Sequence, residues 1–155
     1  MGDTDISAQP TKDIESALAC LEQSEMVSEV IVKEVSSDGV VAAASWRVDL
    51  PTKYESRGET ELGIRSIEVV EWLFPLDYPL AAPQPTLRDD FPLALPHINP
   101  VVDGKVSPCI AEVDLTDLLH SSGIEAVFLA MTHWLNNAAS GELLCPVQGW
   151  EPIRR

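Results

Sequence analysis

Apolar residues recur at three- and four-residue steps near both ends of the chain and at two-residue steps between them, and that change of period sets the element order. Ile14, Ala17, Leu18 and Leu21 fall on one stripe, which predicts a short amphipathic helix from Thr11, its N-cap, to about Gln23. Cys20 lies beside that stripe and reads as packing. Val27 to Val35 reads as a strand, and Ser36, Ser37, Asp38 and Gly39 supply a hairpin turn. The next segment alternates cleanly: Val40, Ala42, Ala44, Trp46, Val48 and Leu50 share one face, and Val41, Ala43, Ser45, Arg47 and Asp49 the other. A period of two is what a half-buried antiparallel strand needs. Pro51 to Glu61 is a polar connection. A third strand is expected from about Leu62 to Leu73, with a bulge where the apolar phase slips between Ile64 and Ile67.

After Phe74 the period is lost. Pro75, Pro79, Pro83 and Pro85 bar this segment from a helix interior or a central strand. Thr86 to Arg88 reads as a short fourth strand, and Asp89 to Pro96 as another irregular connection. Ala111 to Ser122 is acidic and ambiguous, with a helical turn around Leu115 to Leu119. Ile124, Val127, Phe128, Met131, Trp134 or its neighbour Leu135, and Ala138 then mark the strongest helix, from about Gly123 to Ala139, with Gly141 as its stop. Its large side chains read as a core face rather than a cofactor box. Residues 1–10 read as a flexible N-terminus, 11–141 as a single domain and 142–155 as an extended tail or linker. A helix, an antiparallel meander, a proline-rich connection and a helix make an α+β domain.

Composition narrows the function. Hydrophobic residues are 45% of the 155, with four Trp, enough for one core without staples. Acidic residues number 25 against 10 basic ones, for a net charge of −15. The basic residues are scattered apart from Arg154 and Arg155, so neither nucleic acid nor an anionic membrane is an expected partner, and a protein is. Cys20, Cys109 and Cys145 have no paired spacing, which argues against a disulfide framework and a structural zinc site; no metal or cofactor is expected. With no apolar leader and no run of transmembrane length, the expected compartment is a reducing cytoplasm.

The candidate chemistry lies between His97 and Ile110, where Pro100 and Pro108 stiffen a path that holds Asn99, an Asp103–Gly104 turn and Cys109. The plain reading is a proline-rich connection that ends in a core cysteine. The functional reading is a thiol held at a groove by an irregular, restrained segment. The Asn99 amide is a donor of the type that stabilises an oxyanion at an attacked carbonyl or thioester, or else caps its own turn. His97 is a candidate base for Cys109, or a structural histidine.

A family resemblance favours the functional reading. FPLDYPLAAP, Phe74 to Pro83, resembles in its spacing the segment after the third strand of ubiquitin-conjugating enzymes. In that family a His-Pro-Asn tripeptide, a turn with Gly and the thioester-carrying cysteine follow; here His97, Ile98 and Asn99, then Asp103 and Gly104, then Cys109 keep that order. Over about residues 11–140 the resemblance implies a UBC-like fold: an N-terminal helix, a four-stranded antiparallel meander, an irregular active-site strip and one long helix. The chain also departs from the family. Ile98 replaces the tripeptide's proline and Pro100 follows the Asn, Asn99 lies further than usual from Cys109, and the first helix is acid-rich. The C-terminal helix pair of typical eukaryotic members is missing. These departures resemble the divergent bacterial branch, whose members accompany or are fused to a ThiF-like activating enzyme in ubiquitin-like conjugation systems, some of them linked to phage defence.

The resemblance implies that Cys109 accepts the C-terminus of a ubiquitin-like modifier protein from the activating enzyme by thioester exchange and passes it to an amine on a protein target. Asn99 would stabilise the oxyanion or position the loop, and Asp114 or Asp117 would orient or deprotonate the incoming lysine. The terminal segment Leu143 to Arg155, with Trp150, would be a linker or docking strand. Two other readings stay open. A non-catalytic RWD-like interaction module shares the pattern of Tyr78, Pro79 and Pro83 but lacks the nucleophile, and a Cys/His hydrolase would use Cys109 with His97.

Overall fold

Thr11 opens the first helix: its Oγ1 accepts a hydrogen bond from the Ile14 amide at 3.2 Å, satisfying one of the amides that a helix start leaves unpaired. The helix, α1, spans Lys12–Glu22 and buries Ile14, Ala17, Leu18 and Leu21, the stripe read from the sequence. The computed structural model describes residues 10–93, 98, 105–111 and 113–141. The flexible N-terminus and tail expected at 1–10 and 142–155 therefore lie, Pro10 excepted, outside the described residues, as do His97, Asn99, Pro100, Asp103, Gly104, Glu112 and Cys145.

Strands β1 (Val27–Ser36), β2 (Gly39–Arg47), β3 (Ile67–Pro75) and β4 (Gln84–Thr86) form one antiparallel sheet in sequence order. The β1–β2 hairpin closes at Ser36 opposite Gly39. Gly39 has φ +144° and packs on β3 so closely that a side chain there would meet the Phe74 carbonyl, so only glycine fits. Val40, Ala42, Ala44 and Trp46 of β2 are buried with Val70, Trp72 and Phe74 of β3. Helix α3 (Ile124–Ser140) covers this face: Phe128 meets Trp72 and Trp46 edge-on at centroid distances of 5.3 and 6.2 Å. Trp46 Nε1 donates to Thr132 Oγ1 at 2.9 Å, so the indole enters the core with its N–H satisfied. Gly141 ends α3 in the left-handed conformation (φ +83°).

The fold is thus α+β with an N-terminal helix and a four-stranded meander, and three details differ from the sequence reading. The third strand begins at Ile67 rather than Leu62. Thr60 Oγ1 accepts from the Ile64 amide at 3.0 Å within a loop turn, which buries Ile64 without making it a strand residue. The apparent slip in phase is therefore the end of a loop, and the β2–β3 register runs unbroken from Gly39 opposite Pro75 to Arg47 opposite Ile67. Register shifts occur instead in the edge strand β1, at Val27/Glu29 and Val32/Glu34. The fourth strand is Gln84–Thr86 rather than Thr86–Arg88; it tolerates Pro85 because it lies at the sheet edge. Finally, the expected turn near Leu115 is a full helix, α2 (Leu115–Ser122), so two helices rather than one follow the irregular strip. Gly123, at φ +92°, separates α2 from α3. Among the described residues no helix is long and apolar enough to cross a membrane.

Candidate active site

After Pro75 the chain leaves the sheet and its prolines take over. Phe74 and Tyr78 stack edge to face at 5.4 Å, and the Tyr78 amide closes a turn on the Pro75 carbonyl at 3.0 Å. The Tyr78–Pro79 peptide bond is cis. Helix α2 holds this segment at two points: the Ala82 amide donates to Thr116 Oγ1 at 3.1 Å, and His120 Nε2 lies 2.9 Å from the Pro79 carbonyl, a bond that the Nε2–H tautomer donates. The proline-rich run and the helix after the strip are thereby fastened together.

The strip itself is fixed by two isolated antiparallel bridges. Leu87, just past β4, pairs with Val106, its amide donating to the Val106 carbonyl at 2.7 Å, and both side chains are buried. Ile98 pairs with Pro108. Cys109 comes next, partly buried, with its Sγ 3.5 Å from the Ala111 carbonyl, a weak S–H donor contact. The Ile98–Pro108 bridge thus stands immediately before the thiol.

Residues 14–155, nearly the whole chain, match the family described as Prokaryotic E2 family A. The chain belongs to that family. Its role is accordingly of the ubiquitin-conjugating type, and a ubiquitin-like protein and an activating enzyme are the general class of its partners. No curated protein and no solved structure matches the chain.

In this E2-family chain the sequence-derived site residues stand as follows. Cys109 lies on the doubly bridged strip, whereas His97 and Asn99, which flank Ile98, lie outside the described residues. Asp114 caps α2: its Oδ1 accepts from the Thr116 amide at 2.7 Å, and the residue is exposed, as is Asp117 in the same first turn. Among the described residues no group of three or more His, Cys, Asp or Glu is placed to hold a metal ion.

Cys20 is set in a different surrounding. It lies between two open grooves of about 490 and 410 Å³ that both reach Glu125, and its Sγ is 4.0 Å from Glu125 Oε2. Burial first, and then the Glu125 charge, push this thiol's pKa up, which lowers its thiolate fraction at neutral pH.

Sequence reasoning missed a charged network beside the strip. Glu68, fully buried on β3, receives Arg88 Nε at 2.8 Å on Oε1, and Arg88 Nη2 at 3.0 Å and the Arg65 amide at 2.8 Å on Oε2. Arg88 Nη1 also meets Asp90 Oδ1 at 3.0 Å. The Glu68 hydrogen bonds raise the guanidinium pKa further, and those from Arg88 hold the Asp90 carboxyl below its ordinary value. One signal in the sequence could have found Glu68: it shares the period-two phase of Val70, Trp72 and Phe74.

Proposed function

We propose that the chain carries a ubiquitin-like protein as a thioester on Cys109 and transfers it to a target amine. The Cys109 thiolate attacks the carbonyl that joins the modifier's C-terminus to the activating enzyme's cysteine. The tetrahedral oxyanion collapses, expels that enzyme's thiolate and leaves the modifier on Cys109. A lysine amine then attacks the new thioester and loses its proton, and Cys109 departs as thiolate. Asn99 donates its amide to the oxyanion or orders the loop; His97 serves as base for the Cys109 thiol; Asp114 or Asp117 orients or deprotonates the lysine. The partners are the modifier, a protein target and a ThiF-like activating enzyme, separate or fused, in a bacterial cytoplasmic conjugation system of the type that includes phage defence.

The observation that carries this reading is the place of Cys109 in a chain of this family: partly exposed, one residue past the Ile98–Pro108 bridge and shortly before the α2 cap. Cys109→Ser tests it. With activating enzyme and modifier, the variant is expected to accumulate an ester that survives thiol reductant, because an alkoxide leaves far less readily than a thiolate. An unmodified variant beside a modified native chain also fits a slow serine, but modification of Cys109→Ser that reductant still removes places the thioester on another cysteine.

A further inference from the structure

Glu68 carries a carboxylate onto the inner face of the sheet, in a row otherwise made of Val70, Trp72 and Phe74, and it is 0% exposed. A buried carboxylate is held only by partners that meet both its oxygens. Here they come from two loops: the Arg65 amide from the turn before β3, and the Arg88 fork from the segment after β4. The same guanidinium donates to the Gly63 carbonyl and lies 5.5 Å over the Phe91 ring, and Phe91 in turn packs on Trp134 of α3 at 5.8 Å. Arg88 directly follows Leu87, whose amide holds Val106, three positions before Cys109.

We propose that the Glu68–Arg88 pair is a positioning device for the cysteine strip, fixing through the Leu87–Val106 bridge where the Cys109 thiol sits. The functional consequence rests on Cys109 being the thioester carrier. Arg88 is a positioning residue here, not a catalytic one, and it acts on the thiol only through backbone. Arginine is needed because Nε, Nη1 and Nη2 each have a different acceptor, an arrangement one ammonium cannot reproduce.

The test compares two thiols in the same folded chain. Iodoacetamide labelling of Cys109 and Cys20 is followed peptide by peptide, and Cys20, whose side-chain contact is with Glu125 and not with the Arg88 network, serves as the internal reference. Arg88→Lys and Glu68→Gln are expected to raise the Cys109 rate relative to the Cys20 rate by about fivefold or more, as the strip opens locally. Should a single variant fail to fold, the double exchange Glu68→Met with Arg88→Met, which replaces the ions by apolar side chains, is expected to fold and show the same change. In the unaltered chain the amides of Arg65 and Leu87, which donate to Glu68 and Val106, are expected to exchange with solvent as one unit. An unchanged ratio in folded variants, a parallel rise at both thiols, or independent exchange of those two amides overturns the proposal. None of these readouts needs modifier or activating enzyme, so a shifted ratio in a chain that forms no thioester removes the function of Cys109 and leaves the positioning intact.

Discussion

Asp114 Oδ1 accepts the Thr116 amide at 2.7 Å, and this bond allows the structural role of Asp114 to be separated from its proposed part in lysine transfer. Asp114→Ala removes the cap and is expected to cost about 0.5–2 kcal/mol of stability. Asp114→Asn keeps the cap and loses the charge, so its urea midpoint should stay near that of the native chain. If the carboxylate orients the incoming amine, Asp114→Asn slows discharge of the charged chain onto free lysine without slowing its loading. Single-turnover discharge measured beside urea unfolding distinguishes the two roles.

Trp46 and Thr132 give a second test, in the core. Thr132→Val keeps the shape but leaves the Trp46 N–H buried without an acceptor, with an expected loss of about 1–3 kcal/mol. Thr132→Ser retains the hydroxyl and should lose less. The midpoint of urea unfolding at unchanged slope is the measurement.

Two glycines with positive φ should respond differently to the same substitution. At Gly39 an added Cβ meets the Phe74 carbonyl, whereas at Gly123 it meets open space. Gly123→Ala is expected to carry backbone strain alone, on the order of 1–3 kcal/mol, and Gly39→Ala that strain together with a displaced β2–β3 contact. Equal stabilities for the two variants would contradict the close approach at the hairpin.

For Cys20, burial and then the Glu125 charge raise the pKa, which lowers its thiolate fraction at neutral pH. Its alkylation rate should therefore rise with pH through a higher midpoint than that of an unhindered thiol. Glu125→Gln, by removing one of the two causes, should move that midpoint down and speed labelling at pH 7.5. A midpoint that does not move would assign the whole shift to burial.

The elements that pack on one face were legible in the sequence because packing imposes a period. The α1 stripe matched the buried residues throughout, and the β2 alternation and the α3 stripe matched them except at Leu50 and Ile124, which are half-buried. Where burial came without a period, the reading failed. Ile64 is buried from a loop, so it looked like a displaced strand residue. Helix α2 buries only Leu119 and owes its start to the Asp114 cap, so its stripe was too short to stand out. The irregularities of β1 left no trace because most of that strand is exposed. Cys109 was singled out as a candidate by the amide, turn and thiol gathered between His97 and Ile110, and then by the order of motifs around them. Glu68 and Arg88, twenty residues apart, were invisible as a pair, since no local spacing marks an ion pair formed between a strand and a later loop.

The central claim is that Cys109 is the acyl carrier, and a non-reducing gel of the native chain and Cys109→Ala, each incubated with activating enzyme, modifier and ATP, tests it most directly. The native chain is expected to gain one modifier's mass in a band that thiol reductant abolishes, and Cys109→Ala to gain none. A reductant-sensitive band that persists in Cys109→Ala, or no such band on a native chain beside an activating enzyme shown to be charged, would contradict the account.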